Sequence, residues 1–366
     1  MYTIVNIRPL GHNVGNHAIH FALRHMLYET FGRLVSIIDY PATSRHESTA
    51  KAGITASTVC EINRFADGVI VGGGNLYENN EIALDEVALK ALQPPLMLFS
   101  NSRGRIYDRS GALVERSDVI PDSKLTWLVN RADISLSRDS ATHTYVSNLG
   151  LPDELGWCPT INMRRYADQL PPLPEREEVG VLISVRTPAL MNIPYRYQSQ
   201  IQNQIESSID YLRQAGHKRI RILCNDSRDL DFASSFRYTK QVDSVFTNDV
   251  YQYLALIKNA SLIISYRLHA TLPAVSFYTP TINITYDERA TSLFNDLGMS
   301  DATLNIIEQG DNLLTNLKYW IESGGYVVSN ESPILQQWAA FREFQFDKLN
   351  QFKSLMNGYL RSGRRK

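Results

Sequence analysis

Short apolar runs alternating with segments of helical period restrict this chain more than any other feature. Leu262-Ile263-Ile264 and Thr281-Ile282-Asn283-Ile284 are too short for helices and too apolar for half-exposed strands, so each reads as a buried strand with a helix between. Tyr2 to Ile7, Val35 to Ile38, Gly68 to Gly72, Leu96 to Phe99 and Ile134 to Ser137 read as strands too. Ala18, Ile19, Ala22, Leu23, Met26 and Leu27 recur at helical spacing, with Asn16 as a plausible N-cap. Further helices are expected over 59–65, 82–92 and from Ser140 through Leu149. Strands alternating with helices predict a parallel sheet with right-handed crossovers.

A chain of 366 residues with 43% hydrophobic content exceeds one ordinary core. Pro171-Pro172-Leu173-Pro174 with Glu175 to Glu178 is the clearest linker, and strand–helix alternation restarts beyond it at Val179 to Val185, Ile201 to Leu212, Ile220 to Leu223 and Val250 to Lys258. The expected organisation is α/β: a Rossmann-like domain over 1–170, a linker over 171–178, a second Rossmann-like domain over 179–330, and a helical tail over 331–366. Trp338, Phe341, Phe344, Phe346, Phe352 and Tyr359 give that tail a stripe suited to packing back across the first domain. Its last basic residues, Arg361, Arg364, Arg365 and Lys366, suit either a solvated terminus or peripheral contact with an anionic membrane. The stretch 100–122, with Arg103, Arg105, Arg109 and Arg116, reads equally as a lid over a cleft or as a solvated loop.

A net charge of −1 offers no global field for nucleic acid. Cys60, Cys158 and Cys224 lie far apart and form no disulfide framework, which suits a reducing compartment. No charged n-region precedes an apolar segment, and no apolar run nears the roughly 18 residues that span a bilayer. The expectation is a cytoplasmic protein.

The candidate site residues share one position: just after a strand. Asn13 to Asn16, Gly72 to Asn75, Arg186, Arg267 to His269 and Tyr286 to Arg289 all do so. In open α/β sheets ligands lie beyond the carboxyl ends of the strands, and helix N-termini there favour anions. Arg267 offers a planar fork of donors for an oxyanion and His269 a proton near neutral pH; a structural ion pair and a helix-capping histidine fit the pattern as well. Arg186 is a similar candidate from another strand end. Gly72-Gly73-Gly74-Asn75 permits close approach of backbone but is no dinucleotide fingerprint. His17 and His20 stand one helical turn apart near His12 and His25, yet no third protein ligand is evident, so no metal is expected. Asp229-Leu230-Asp231 reads as a chance DxD.

Ser265-x-Arg267-Leu268-His269-Ala270, then Pro280-x-Ile282-x-Ile284-x-Tyr286-Asp287, resembles the C-terminal signature of polysaccharide pyruvyl transferases. Asn13-x-Gly15-Asn16, Gly72-Gly73-Gly74-Asn75-Leu76 and Ser137-Arg138-Asp139 are similar to that family's earlier motifs, in order from about residue 10 to 300. The resemblance implies two domains facing across a cleft, as in GT-B glycosyltransferases. It implies transfer of a pyruvyl group from phosphoenolpyruvate to two hydroxyls of a sugar, without a cofactor or metal. Carried over by position, Arg186, Arg267 and His269 would be catalytic and, with Leu268 and Tyr286, would bind the donor. Asn13, Asn16, Gly73, Gly74, Asn75 and Tyr77 would face the sugar acceptor, in a glycan or its lipid-linked precursor. The chain departs from the family pattern at Asn16, at Arg289 where Lys is usual, at Cys158-Pro159 in place of Asp-Pro, and at 100–105, which lacks a glycine-rich turn. A GT-B glycosyltransferase using a nucleotide sugar and a non-catalytic sugar- or anion-binding relative are the competing readings.

Overall fold

A computed structural model describes residues 1–11, 13–44, 51–173 and 179–363. The first lobe carries β1 (Tyr2–Arg8), β2 (Val35–Pro41), β3 (Gly68–Gly74), β4 (Leu96–Asn101), a hairpin of β5 (Ile106–Tyr107) and β6 (Leu113–Val114), β7 (Ile134–Ser137) and β8 (Glu154–Leu155). The second carries β9 (Val181–Val185), β10 (Ile220–Cys224), β11 (Asp243–Phe246), β12 (Leu262–Ser265), β13 (Thr281–Thr285) and β14 (Thr303–Asn305). Each lobe is a six-stranded, all-parallel sheet, ordered β2-β1-β3-β4-β7-β8 and β11-β10-β9-β12-β13-β14. Helices cover both faces, which is why β3, β4, β9, β12 and β13 are buried along their whole length.

The strand order reverses between β1 and β3 in the first sheet and between β9 and β12 in the second. These are the topological switch points, where adjacent crossovers leave in opposite directions and open a crevice at the carboxyl ends. The two crevices face one another.

The lobes share a core. One cluster of buried side chains runs from Ile4, Leu23 and Met97 to Leu182, Tyr253 and Ala270. The helix Ile334–Arg361 straps it. Phe352 and Met356 lie against Gly68, where a Cβ would stand 2.8 Å from the ring and 2.9 Å from the sulfur. The Tyr2 hydroxyl donates to Asn357 Oδ1 at 2.7 Å. Nearer the second lobe, Trp338 Nε1 donates to the Leu297 carbonyl at 3.1 Å and Phe341 stacks on Trp157. Burying each such ring stabilises by about 1.5–3 kcal/mol. No helix among the described residues is long and apolar enough to cross a membrane.

Several expectations need correction. Asn13, not Asn16, caps the helix Val14–Phe31: its Oδ1 accepts from the Gly15 amide at 3.0 Å, leaving Asn16 in the first turn. The helix expected over 82–92 is confined to Glu86–Ala91, because Leu84 bridges to Ile54 and Asp85 accepts from the Ala88 amide. The stretch 100–122 carries a hairpin, is partly exposed, and brings Arg116 and Asp118 to the cleft between the lobes. Its hairpin is tied across the lobes by Arg105 to Glu288 and by Asn305 Nδ2 donating to the Tyr107 hydroxyl at 3.0 Å. The linker's Pro174 to Glu178, His12 among the histidines, and Arg364 to Lys366 of the basic tail lie outside the described residues.

Candidate active site

A cleft of about 430 Å³ opens between the switch points. Arg186, directly after β9, and Arg267, directly after β12, line its second-lobe wall with Leu268, His269 and Tyr286. Adjacent parallel strands end side by side, so residues 81 apart in sequence become neighbours. Asp229 sits behind them, fully buried. It accepts from the Thr187 amide at 2.9 Å and stands 3.6 Å from Arg186 Nη1 and 3.7 Å from Arg267 Nη1. Arg186 also reaches Asp226 at 3.5 Å. Burial and the neighbouring Arg267 push the Arg186 guanidinium below its ordinary range. Burial would raise Asp226, but Arg228, in two contacts of 2.9 and 2.5 Å, holds that carboxyl well below the usual carboxylate range.

His269 follows at the start of the helix Leu268–Ser276, with φ −90° and ψ 16°, in the sparsely populated bridge region. Its carbonyl accepts from the buried Tyr253 hydroxyl at 3.0 Å, and its Nε2 lies 3.8 Å from Cys158 Sγ. Burial first, then Arg138, Arg289 and Arg267, hold its pKa well below the ordinary value, which favours the neutral imidazole.

The first-lobe wall carries amides, carboxylates and the Arg116 guanidinium. Asn13, Asn16 and Asn75 line it, with Glu78 and Glu81. Gly73 and Gly74 do not line it. They carry φ of +69° and +98°, and a Cβ on Gly73 would stand 2.4 Å from Ile19 Cγ2, so these glycines seat β3 beneath the helix Val14–Phe31. Tyr77 does not face an acceptor either. It is 2% exposed within the core that holds Ile120 and Leu125, and burial drives its hydroxyl far above the ordinary range.

Three features were missed from sequence. Asp229, dismissed within a DxD, is the shared counter-ion of the two clamp arginines. Glu78 is an almost fully buried carboxylate paired both with Arg116 of the segment after the hairpin and with Arg289 of the second lobe, so it ties three elements together. Arg138 is fully buried beside the cleft. Its Nη2 contacts Ser102 Oγ and Asn75 Oδ1, while Nε and Nη1 have no hydrogen-bond partner among the described residues. The sequence placed it within the Ser137-Arg138-Asp139 motif after β7 but gave it no role.

The histidine pair is used elsewhere. His17 Nε2 contacts the Gly11 carbonyl at 3.2 Å, and His20 Nε2 lies 3.2 Å from Asp39 Oδ2. Among the described residues no three His, Cys, Asp or Glu side chains gather as metal ligands would.

Solved structures similar to this one are UDP-GlcNAc 2-epimerases. That of Neisseria meningitidis, bound to UDP-GlcNAc, aligns with TM-score 0.53 and 10% identity over 94% of this chain and 98% of its own. That of Methanocaldococcus jannaschii, with UDP-GlcNAc and UDP, gives 0.52 and 11% over 87% and 92%. That of Rickettsia bellii gives 0.51 and 13% over 96% and 98%. At such identities the likeness establishes the two-lobed, GT-B-like fold alone. No curated protein matches the sequence. The family model for polysaccharide pyruvyl transferases matches residues 13–288, three quarters of the chain, including Arg186, Arg267, His269 and Tyr286, so the chain belongs to the polysaccharide pyruvyl transferase family.

Proposed function

We propose that this cleft transfers a pyruvyl group from phosphoenolpyruvate to two hydroxyls of one sugar, forming a cyclic ketal and releasing phosphate. The sugar belongs to a cell-surface glycan or its lipid-linked precursor, and the reaction runs in the cytoplasm. One observation carries the reading: two guanidiniums and an imidazole from adjacent strand ends share one wall, and hydrogen-bonding side chains without an aromatic ring face them among the described residues.

The donor carries a carboxylate and a phosphate on three carbons. Protonation of C3 makes C2 electrophilic. One sugar hydroxyl adds there, the second displaces phosphate, and both lose their protons, one replacing that consumed at C3 and one leaving with phosphate. This sequence requires charge neutralisation, one proton donor and a path for two protons. It needs no redox group. Arg186 and Arg267 clamp the donor; pre-oriented donors in a water-poor cleft contribute about 3 kcal/mol each. His269 holds the phosphate or supplies the proton, and it becomes the acid only once the bound anion raises its affinity for one. Leu268 and Tyr286 shape the donor wall, and Asn13, Asn16 and Asn75 orient the acceptor.

Calorimetry with phosphoenolpyruvate against UDP- and CMP-sugars tests the donor. Phosphate release with a panel of galactosides, glucosides and N-acetylhexosamine glycosides tests the transfer. Binding of a nucleotide sugar with no heat from phosphoenolpyruvate would replace this reading by glycosyl transfer. Binding of phosphoenolpyruvate without turnover on any acceptor would leave a non-catalytic relative.

A further inference from the structure

Among the described residues His269 has a single polar side-chain partner, and it is not a carboxylate. Its Nε2 lies 3.8 Å from Cys158 Sγ, within hydrogen-bond reach of sulfur, while Nδ1 makes no hydrogen bond among the described residues. The thiol is fully buried and lies 3.1 Å from Thr160 Oγ1. The charged groups that act on the ring are all guanidiniums: Arg138 at the end of β7, Arg267 on its own strand end, and Arg289 on the helix Glu288–Asp296. From the helix Val14–Phe31 the backbone of Gly15 lies against it, where a Cβ would stand 2.9 Å from His269 Cβ. From the helix Val250–Asn259 it meets the Tyr253 hydroxyl, on its carbonyl.

The geometry points to Cys158 as a positioning residue for His269: the thiol holds Nε2, leaves Nδ1 to serve the cleft, and withholds a counter-anion, so that the ring takes a proton only when an anionic donor supplies the missing negative charge. A carboxylate at this place would face Arg138 as well as the imidazole and would charge the ring before any donor arrived. The thiol cannot, because burial pushes it up and keeps it neutral. On donor binding one proton moves from solvent to His269, and nothing else is made or broken. The ligand of this inference rests on the donor reading above; the contact does not.

The test compares wild type, Cys158→Ser and Cys158→Asp by following the His269 ring carbon resonance against pH, assigned with His269→Gln. Wild type and Cys158→Ser are expected to stay neutral at pH 7, and Cys158→Asp to titrate higher by about one pH unit or more. Calorimetry with phosphoenolpyruvate at pH 7, in buffers of different ionisation enthalpy, should show uptake of about one proton by wild type and Cys158→Ser and about none by Cys158→Asp. The same titration in wild type and a folded Cys158→Asp protein would overturn the inference, as would a ring already charged at pH 7 in wild type. If Cys158→Asp does not fold, loss of proton uptake in Cys158→Ser would overturn it. Absence of any binding heat in all three proteins would sink the donor reading, while the resonance titration would still decide the role of Cys158.

Discussion

Replacing Arg267 by alanine tests the clamp most directly. Its Nη1 stands 3.7 Å from Asp229 Oδ2, while Arg186 stands 3.6 Å from the other oxygen. After the change Asp229 keeps Arg186 and still accepts from the Thr187 amide, so the fold loses one partner of a cluster and not its only counter-ion. Catalysis loses one pre-oriented, charge-assisted contact, about 3 kcal/mol. With 1.36 kcal/mol per decade, kcat/KM for phosphate release should fall about a hundredfold. Arg267→Lys keeps the charge but loses the planar fork, and a fall of roughly tenfold is expected. The assay is phosphate release from phosphoenolpyruvate with an accepted sugar, beside a melting curve. A folded Arg267→Ala protein working within about threefold of wild type, less than ~0.7 kcal/mol of transition-state stabilisation, would refute the reasoning.

Asp229→Asn keeps an oxygen for the Thr187 amide and removes the charge between two guanidiniums; stability to urea should fall by about 3 kcal/mol. Phosphoenolpyruvate, bringing replacement charge, should then raise the melting temperature more than in wild type, and an equal or smaller rise would count against a shared counter-ion. Gly73→Ala forces a Cβ to 2.4 Å from Ile19 Cγ2 at φ +69° and should cost about 2 kcal/mol or more. Adding Ile19→Ala should cost less than the sum of the two single changes; strict additivity in urea melts would show that the clash is not the cause. Against burial, which would raise it, His20 and Arg8 hold the Asp39 carboxyl well below the ordinary range. A depressed carboxyl contributes stability above its unfolded pKa of about 3.9 and loses it as pH falls towards the folded value. Asp39→Asn should therefore flatten the acid limb of stability below pH 4, and a limb as steep as in wild type would exclude the pair as its source.

Much of this architecture was legible because buried parallel strands leave an unmistakable trace: short apolar runs, each followed by a helix start. That rule placed Arg186, Arg267 and His269 correctly, since a residue just past such a strand must lie at the carboxyl edge of the sheet. It failed where side-chain direction mattered. The glycine run ending β3 carries no alternation, so nothing in it told Tyr77 inward from Asn75 outward. It failed at the edge strands β11 and β14, too short and too polar to stand out. It also failed where charges are matched over long sequence separations. Arg105 and Arg116 stayed open between lid and solvated loop because their partners, Glu288 and Glu78, are 183 and 38 residues away.

Bond length, more than position, separates the clamp from the scaffold. Arg116 meets Asp118 at 2.7 and 2.6 Å, Arg228 meets Asp226 at 2.9 and 2.5 Å, and Arg289 meets Asp287 at 3.1 and 2.9 Å. These are two-point, charge-assisted bonds that already occupy the donors of those guanidiniums. Arg186 and Arg267 touch their carboxylates only at 3.5 to 3.7 Å, beyond the range of a well-formed hydrogen bond. Their charge is balanced while their donors remain unspent. A buried guanidinium cannot shed its proton, so without Asp229 the pair would repel, and with tighter bonds to it they would have nothing left to offer. Long contacts to a common buried carboxylate meet both demands, and an oxyanion entering the cleft can take up those N–H groups without any pair having to break.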